Sequence, residues 1–527
     1  MIFELIIGIV SLCALLYYYI TSTWNYWSSQ GVHTIKPSFP VGSFKSMTTR
    51  KIAIHEELAQ LTKETQGLPY FGGYLMKAPI FVIQDPEIVR QVMIKDFDNF
   101  VDRRSGRMME QFRQSDKLAD QIFAQQLTTV TGDEWKKLRT TFSPIFTSGK
   151  MKAMMVFMHE STKKLMEALK LKAKKEDVET KEIMGKFSMD VLASCAFGVD
   201  GNLFSETESP FVSNAKAIFT ADKWAALRGM MLVLPYGIKI LNGLGYSVTA
   251  KETEFFCDVV TSTLKHRKES KFRRNDLIDM LADAMKGELK EEINEDTLDQ
   301  FDQDTKLKDH IQKKDYDEFS IVATVIVLLI SGYDTTGSLL AWALYELAKN
   351  QDIQDSLFDE MESNTEGLMV TYEEMQSMTY LDQILHETAR LHSLLPLLSR
   401  ASRDEYKVPG TDVVLPKGTN IWVNTVGIHS NPKYYETPDT FNPDHFSKEA
   451  KAKRSPYAYV AFGQGPRNCI GMRLALLEAK LALASVVKEY RILPSSKTIE
   501  PMVLDPNQGI KYPKSGLYVR LEPRNVQ

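Results

Sequence analysis

The sequence predicts a mainly α-helical protein with small β-sheets, carried on an N-terminal membrane-spanning helix. Three observations predict this fold class. An uncharged apolar run opens the chain, helical apolar periodicity fills most of 105–285, and strand-like runs are confined to 70–95 and the final quarter. The length of 527 residues and a hydrophobic content of 43% allow a sizeable core. A net charge of −4 argues against nucleic acid as the main partner. The 4 cysteines stand at 13, 195, 257 and 469, with no C-x-x-C spacing, so neither a disulfide framework nor a zinc site is indicated. No Asn-x-Ser/Thr sequon occurs, which fits a body kept out of the secretory lumen.

Residues 5–20, LIIGIVSLCALLYYYI, lie within a segment (2–21) just long enough to cross hydrocarbon as a helix, which takes about 17–25 residues. Tyr17, Tyr18, Tyr19, Trp24 and Trp27 fit an interfacial aromatic belt. A cleavable signal peptide would want a basic start and a small-residue cleavage site, and the chain offers Glu4 and bulky aromatics. Basic residues begin only downstream, at His33, Lys36 and Lys45, so a retained anchor leaves the body in the cytosol. Residues 22–42, with Pro37 and Pro40, read as a stiff linker, and 43–527 as one catalytic domain.

Within that domain, YFGGYLM and APIFVIQDP read as strands bounded by Gly and Pro. Met151–Lys170 has helical spacing. The apolar stretch 229–246 is too interrupted by Gly229, Pro235, Gly237, Gly243 and Gly245 for one long helix. It reads as a buried connection or as an apolar loop dipping into a bilayer. The charged loop 286–318 holds twelve acids and six bases and reads as solvated surface. In 321–350 the start IVATVIV has strand propensity, but the length and the following SLLAWALYELAKN argue for one buried helix. VVLPKGTNIWV and GLYVRLEP return to strands.

Four constellations carry chemistry. Phe462-Gly463-Gln464-Gly465-Pro466-Arg467-Asn468-Cys469-Ile470-Gly471 places one cysteine in a tight bend, where Gly463, Gly465 and Gly471 permit φ values that a Cβ forbids. Arg467 there favours a thiolate or binds an acidic ligand edge. Ser331-Gly332-Tyr333-Asp334-Thr335-Thr336 sets an acid beside an alcohol, next to a glycine that lets a helix open, which suits proton delivery. Glu387 and Arg390 share a helix face as an ion pair. A zinc H-E-x-x-H reading of His386-Glu387 fails because position 390 is Arg, and His392 lies round the helix from His386. Trp135 and Arg139 are four apart on one helical face.

Taken together, these strings resemble the cytochrome P-450 superfamily, most closely its microsomal group that oxidises steroids and foreign compounds. The resemblance runs from the anchor to residue 523. It implies a triangular, mostly helical fold with a smaller N-terminal β-rich lobe. It also implies haem b ligated by Cys469, whose thiolate favours O–O cleavage. Phe462 belongs to the same motif. Asp334 and Thr335 match the oxygen-activation motif, with Ser331 where Ala or Gly is usual. Trp135, Arg139, Arg400 and Arg467 match propionate-binding positions, and Arg103 is a further candidate. Glu387 and Arg390 match a buried pair that locks onto a downstream meander. There Pro443-Asp444-His445-Phe446 departs from Pro-x-Arg-Phe, so His445 is expected to be a partial substitute for the third member.

The implied activity is insertion of one atom of O2 into an apolar small molecule, with electrons from NADPH. No G-x-G-x-x-G stands at a strand–helix junction, so a partner, by resemblance a flavoprotein reductase, supplies them. Lys136 and Lys137 are candidates for its docking face. The implied location is the endoplasmic reticulum membrane. By the same analogy the pocket draws on 105–128, 229–246, Ile326–Thr335, Leu394–Leu398 and Asn507–Ile510. Two rivals are a haem-thiolate isomerase or dehydratase acting on peroxides without a reductase, and a non-catalytic haem binder. Intact Asp334-Thr335 speaks against the first, and the lack of room for an output domain against the second.

Overall fold

The computed structural model describes residues 2–103, 106–174, 177–197, 203–204, 209–220, 224–232, 236–270, 273–274, 276–286, 318–365, 367 and 370–524. All but the ends of the charged run 286–318 thus lies outside the described residues. Eight helices matter most for the anchor, the core and the site: α1 (Ile2–Thr21), α2 (Ile54–Glu64), α3 (Gly132–Phe142), α4 (Ser148–Ala173), α5 (Thr180–Phe197), α6 (Glu318–Lys349), α7 (Thr379–Leu391) and α8 (Met472–Glu489). The main strands are β1 (Tyr70–Leu75), β2 (Ala78–Ile83), β3 (Val178–Glu179), β4 (Leu397–Ala401), β5 (Asn420–Asn424), β6 (Tyr490–Pro494) and β7 (Tyr518–Pro523).

The strands form a four-stranded sheet in the order β1-β2-β5-β4 and a three-stranded sheet in the order β3-β7-β6. In the first, β1 pairs antiparallel with β2, β2 pairs parallel with β5, and β4 returns antiparallel. Phe81 and Val82 face Ile421 and Trp422 across the parallel register, and all four side chains are buried. A parallel pair needs a long crossover and cover on both faces. Between β2 and β5 lie more than 300 residues of helical body, which supply both.

Helix α1 is long and apolar enough to cross a membrane, and all its side chains up to Tyr19 are exposed. Helix α6 passes the same test of length and composition, but it is mostly buried. It is the 32-residue core helix that the length of its apolar run predicts, despite the β-branched start. Residues 22–42 are docked rather than free. Trp27 is fully buried and donates from Nε1 to Gly73 O at 3.1 Å, and Trp24 Nε1 donates to Met76 O at 2.8 Å. Trp27 therefore packs in the core of the body and not at a membrane interface, a correction to the aromatic-belt expectation. The belt is left to the exposed Tyr17, Tyr18 and Tyr19.

The stretch 229–246 falls into helical pieces either side of the undescribed 233–235. Ile238 and Leu241 point inward, whereas Tyr236, Ile240, Leu244 and Tyr246 are exposed, so it is more than a buried connection.

The core is built around α6, which packs along α5 and against α7 and α8. Close approach of α5 and α6 depends on small residues. A Cβ on Gly337 would stand 2.9 Å from Gly185 Cα, so a side chain there would push the helices apart. This contact fixes the height of the segment Ser331–Thr336 in the core.

Candidate active site

Cys469 sits in the bend that leads into α8, with Gly471 as the N-cap. Its N–H donates to Phe462 O at 2.7 Å, which closes the loop. Gly463 and Gly465 have φ of +77° and +71°, and a Cβ on Gly465 would overlap the Met93 carbonyl. Both glycines are thus required. Gly471 is not a φ exception: its φ is −91°, and a Cβ there would meet only Phe146 at 4.0 Å. Its role is to present its N–H to the thiol at a helix N-terminus. Burial raises the Cys469 thiol pKa, and the Gly471 N–H, Arg139 and Arg103 oppose that rise. The residue nevertheless keeps an accessible side. A group hemmed in by protein yet accessible lines an interior space.

Four arginines gather beside that space. Arg139, on α3, donates to Asn468 O at 2.9 Å and to Asn468 Oδ1 at 2.6 Å. Arg103 donates to Arg467 O at 3.3 Å. Arg467 donates to Val101 O at 2.7 Å, Val130 O at 2.9 Å and Thr128 O at 3.2 Å, and its guanidinium lies 4.7 Å from the centre of the buried Trp135 ring. Arg400, on β4, donates only to the adjacent Ser399 O, at 2.8 Å. Burial lowers the Arg400 pKa to about 9, with repulsion from Arg103 adding to it. Burial, then Arg103 and Arg400, hold the Arg467 pKa well below its ordinary value. Arg139 falls to about 10, from burial first, with Cys469 opposing. The Nε atoms of Arg400 and Arg467 are buried without partners.

No carboxylate is hydrogen-bonded to any of these four among the described residues. The nearby Asp102 accepts from Gly132 N–H and pairs with Arg403. Clustered buried cations with open N–H groups fit an anionic ligand carrying carboxylates, and an accessible thiol beside them fits a soft metal centre. A haem, with propionates and iron, meets both requirements.

Sequence reasoning gave Arg467 influence over the thiolate. Its side chain instead runs to backbone carbonyls and Trp135, and Arg139 and Arg103 act on Cys469. Asn468, which orients Arg139, carries no signal of its own inside the motif. Phe462 contributes its carbonyl to the loop and its ring to the main core, 6.3 Å from His386. Lys136 is buried and 3.0 Å from Asp98, so its charge is not offered to a partner protein.

In the middle of α6, Thr335 Oγ1 donates to Ser331 O at 2.8 Å. Asp334 is buried, with Oδ1 3.0 Å from Lys181 Nζ and Oδ2 without a partner. Lys181, at the start of α5, carries no motif signal. Its ammonium also lies 4.7 Å from the Tyr512 ring centre. Helix α6 packs on α8, so both catalytic candidates are on a neighbour of the helix that Cys469 leads into.

The Glu387–Arg390 pair is buried and bidentate, Nε to Oε2 and Nη2 to Oε1 both at 2.7 Å. Arg390 Nη1 donates to His429 O and Pro438 O, both at 2.8 Å. Burial alone would raise the Glu387 pKa, but Arg390, His445 and the Asn442 N–H hold it below the usual carboxylate range. His445 reaches Glu387 Oε1 at 3.0 Å through Nδ1 and Glu436 O at 2.6 Å through Nε2. Both ring nitrogens face acceptors. Arg454 completes the meander by donating to His445 O at 2.9 Å and lying over the Tyr435 ring.

The family profile of Cytochrome P450 matches residues 36–521. Cytochrome P450 6k1 of Blattella germanica is 32% identical over 518 residues, covering 97% of this chain and 95% of the relative. Cytochrome P450 6B7 of Helicoverpa armigera is 31% identical, covering 97% and 96%. Cytochrome P450 6a2 of Drosophila melanogaster is 32% identical, covering 99% of both chains. With its thiol at a helix N-terminus, its unpaired arginines and this likeness along nearly its whole length, the chain belongs to the cytochrome P450 family and is a P450 monooxygenase.

Proposed function

We propose that the chain oxidises an apolar small molecule, a steroid, lipid or xenobiotic, with haem b held by Cys469 and electrons drawn from NADPH through a flavoprotein reductase. The observation that carries the reading is the accessible Cys469 at the start of α8 beside four arginines to which no carboxylate is hydrogen-bonded among the described residues. When bound, the haem supplies oxygen activation, and a thiolate ligand favours O–O cleavage.

The chain's own residues do the rest. The Gly471 N–H and the fields of Arg139 and Arg103 oppose the burial that raises the Cys469 pKa, and so favour the thiolate that would bind the iron. Arg400 and Arg467, whose Nε–H groups are unpartnered, would hold the propionates, with the Arg467 guanidinium packed against the Trp135 ring. Asp334 Oδ2 holds and passes a proton, while Lys181 fixes the other oxygen of the same carboxylate. Thr335 Oγ1, which donates to Ser331 O, is the neighbouring hydroxyl for that relay. The helix α1 anchors the body to the endoplasmic reticulum membrane, with the catalytic domain in the cytosol. The exposed Tyr236, Ile240, Leu244 and Tyr246 face the bilayer, from which apolar substrates partition.

The test is the absorption spectrum of the reduced, carbonyl-bound protein, compared with Cys469→Ala. The expected result is a strongly red-shifted Soret band in the wild type that the substitution abolishes. A shifted band that persists in Cys469→Ala overturns the ligand assignment. Product hydroxylation supported by NADPH and reductase is the second expectation. Turnover of peroxides without reductase, and none with it, would transfer the protein to the isomerase class.

A further inference from the structure

The bend that ends in Cys469 is joined to a set of aromatic rings for which the proposed mechanism has no use. Phe462 accepts from the Cys469 N–H at 2.7 Å and turns its ring to His386 on α7, with ring centres 6.3 Å apart. His386 meets Tyr459 edge to face at 5.3 Å and stacks on Phe446 at 5.5 Å. Tyr459 in turn meets Phe446 at 4.9 Å. These are the separations of packed aromatic pairs, about 4.5–7 Å. From Cys469 to Tyr459 the path crosses one hydrogen bond and then the Phe462–His386 and His386–Tyr459 ring contacts.

Tyr459 is also hydrogen-bonded to His386, its hydroxyl 2.8 Å from Nδ1. The other ring nitrogen, Nε2, faces Asp382 Oδ2 at 3.5 Å. A carboxylate only accepts, so the ring proton belongs on Nε2, and Nδ1 is the lone pair that takes the phenol O–H. Asp382 has its own counter-ion in Lys480 on α8, whose Nζ stands 2.8 Å from Oδ1. Burial lowers the His386 pKa, with Asp382 opposing and Lys451 and Lys480 adding to the fall. Burial also raises the Tyr459 pKa well above the usual phenol range. Both rings are then neutral at rest, in agreement with that tautomer.

A phenol resists losing an electron alone, because the radical cation left behind is a very strong acid. With a base already on its O–H, the proton leaves with the electron and no charged phenol forms. The nearby Tyr435 is built the other way. Its hydroxyl donates to Ala458 O at 3.0 Å, a carbonyl that takes no proton, and the guanidinium groups of Arg390 and Arg454 lie 4.8 and 4.3 Å from its ring centre. Positive charge there opposes loss of an electron. We propose that Tyr459, with His386 as its base, is a redox-active tyrosine that drains an oxidising equivalent from the haem when no substrate consumes it. Tyr459 gives one electron, through the His386 and Phe462 rings, to the haem that oxygen activation has oxidised, which is reduced by one electron. The phenolic O–H bond breaks, and its proton goes to His386 Nδ1. The products are a neutral tyrosyl radical and an imidazolium that faces Asp382. This inference rests on haem held by Cys469.

Freeze-quench electron paramagnetic resonance tests this on the full-length, haem-loaded, substrate-free protein mixed with m-chloroperbenzoic acid. The expected result is a tyrosyl radical whose pulsed spectrum shows coupling to a histidine ring nitrogen, identified by isotope substitution, and to a proton that exchanges in deuterated water. Tyr459→Phe deletes only the hydroxyl, and it is expected to cut the radical yield at least fivefold and to speed haem bleaching by the peracid at least twofold. His386→Phe keeps a ring in the path but removes the base, and it is expected to cut the yield at least threefold. The reduced, carbonyl-bound spectrum of each sample reports the Cys469 ligand separately. A wild type without the red-shifted band overturns that ligand and this inference with it. Three outcomes with the band intact overturn this inference alone: no tyrosyl radical in the wild type, a radical without the histidine coupling, or an undiminished radical in Tyr459→Phe. The wild-type spectra decide even where neither variant folds.

Discussion

Two buried arginine clusters in this molecule solve opposite problems. Around Glu387, Arg390 meets a carboxylate in a bidentate pair, and every remaining donor finds a carbonyl. Around Cys469, four arginines meet backbone carbonyls, one asparagine and each other, and two Nε atoms are left over. Even with pKa values lowered to about 9 and 10 by burial, Arg400 and Arg139 stay charged at neutral pH. A cluster of this second kind must therefore be completed by something outside the chain. On the function proposed, the first cluster is architecture and the second is a receptor.

The largest effect is expected in the first cluster. Glu387→Ala strands Arg390 in the core, and removal of one partner from a buried pair costs about 3–5 kcal/mol. Loss of soluble, haem-containing protein on expression is the expected outcome. Normal yield and melting temperature would place the two clusters in the same category and break the comparison.

The second prediction reverses the sign for the apoprotein. Arg400→Leu removes a buried cation that lacks a partner for its Nε. The apoprotein should melt no lower than wild type, while haem affinity falls about ten- to a hundredfold, the worth of one hydrogen bond to a charged group. Haem titration and apoprotein melting measure the two arms. A lowered apoprotein melting temperature with unchanged haem affinity would make Arg400 architectural.

A smaller effect tests His445. Both its nitrogens already point at acceptors, so His445→Arg should keep the melting temperature within a few degrees, whereas His445→Ala should lower it by about 1–3 kcal/mol of stability. Equal melting of the Ala variant and wild type would remove His445 from the network.

How these regions read in the sequence differs for physical reasons. The Glu387–Arg390 spacing, the long helix α6 and the strands at 70–83 were legible because each is set by residues a few positions apart. The cysteine bend was legible through its glycines, two of which do take positive φ. Partners brought together by the fold were not. Lys181 lies more than 150 residues from Asp334, and nothing around it marks a site. Asn468 was in plain view, but only the folded chain turns its amide to Arg139. Lys136 and Trp27 misled because a charge or an indole in sequence says nothing of burial. The periodicity of 105–285 showed helix without showing which faces meet.

The smallest and most discriminating prediction concerns the acidic counterpart of the second cluster. Glu478, on α8, is 1% exposed, and its Oε1 has no partner. No cation pairs with it among the described residues, and burial raises its pKa to about 8, opposed only by a hydrogen bond with Ser188. Unlike arginine, a carboxyl escapes by staying protonated. Ser188 Oγ in turn donates to Gly332 O at 3.1 Å, so a protonated Glu478 can donate to that hydroxyl.

The sign for stability comes from linkage. Between pH 4.5 and about 8 the unfolded chain has released this proton and the folded chain has kept it. Stability from this group is therefore greatest below pH 4.5 and declines through that window, by at most about 1.4 kcal/mol per pH unit. Glu478→Gln has no proton to release, so its melting temperature should gain on wild type as pH rises from 5 to 8, and the gap should stop widening above that. A gap that is constant with pH would mean that Glu478 is ionised in the fold. A cation would then have to reach it, and its likeness to the arginines beside Cys469, as a charge-bearing group left without a partner, would be lost.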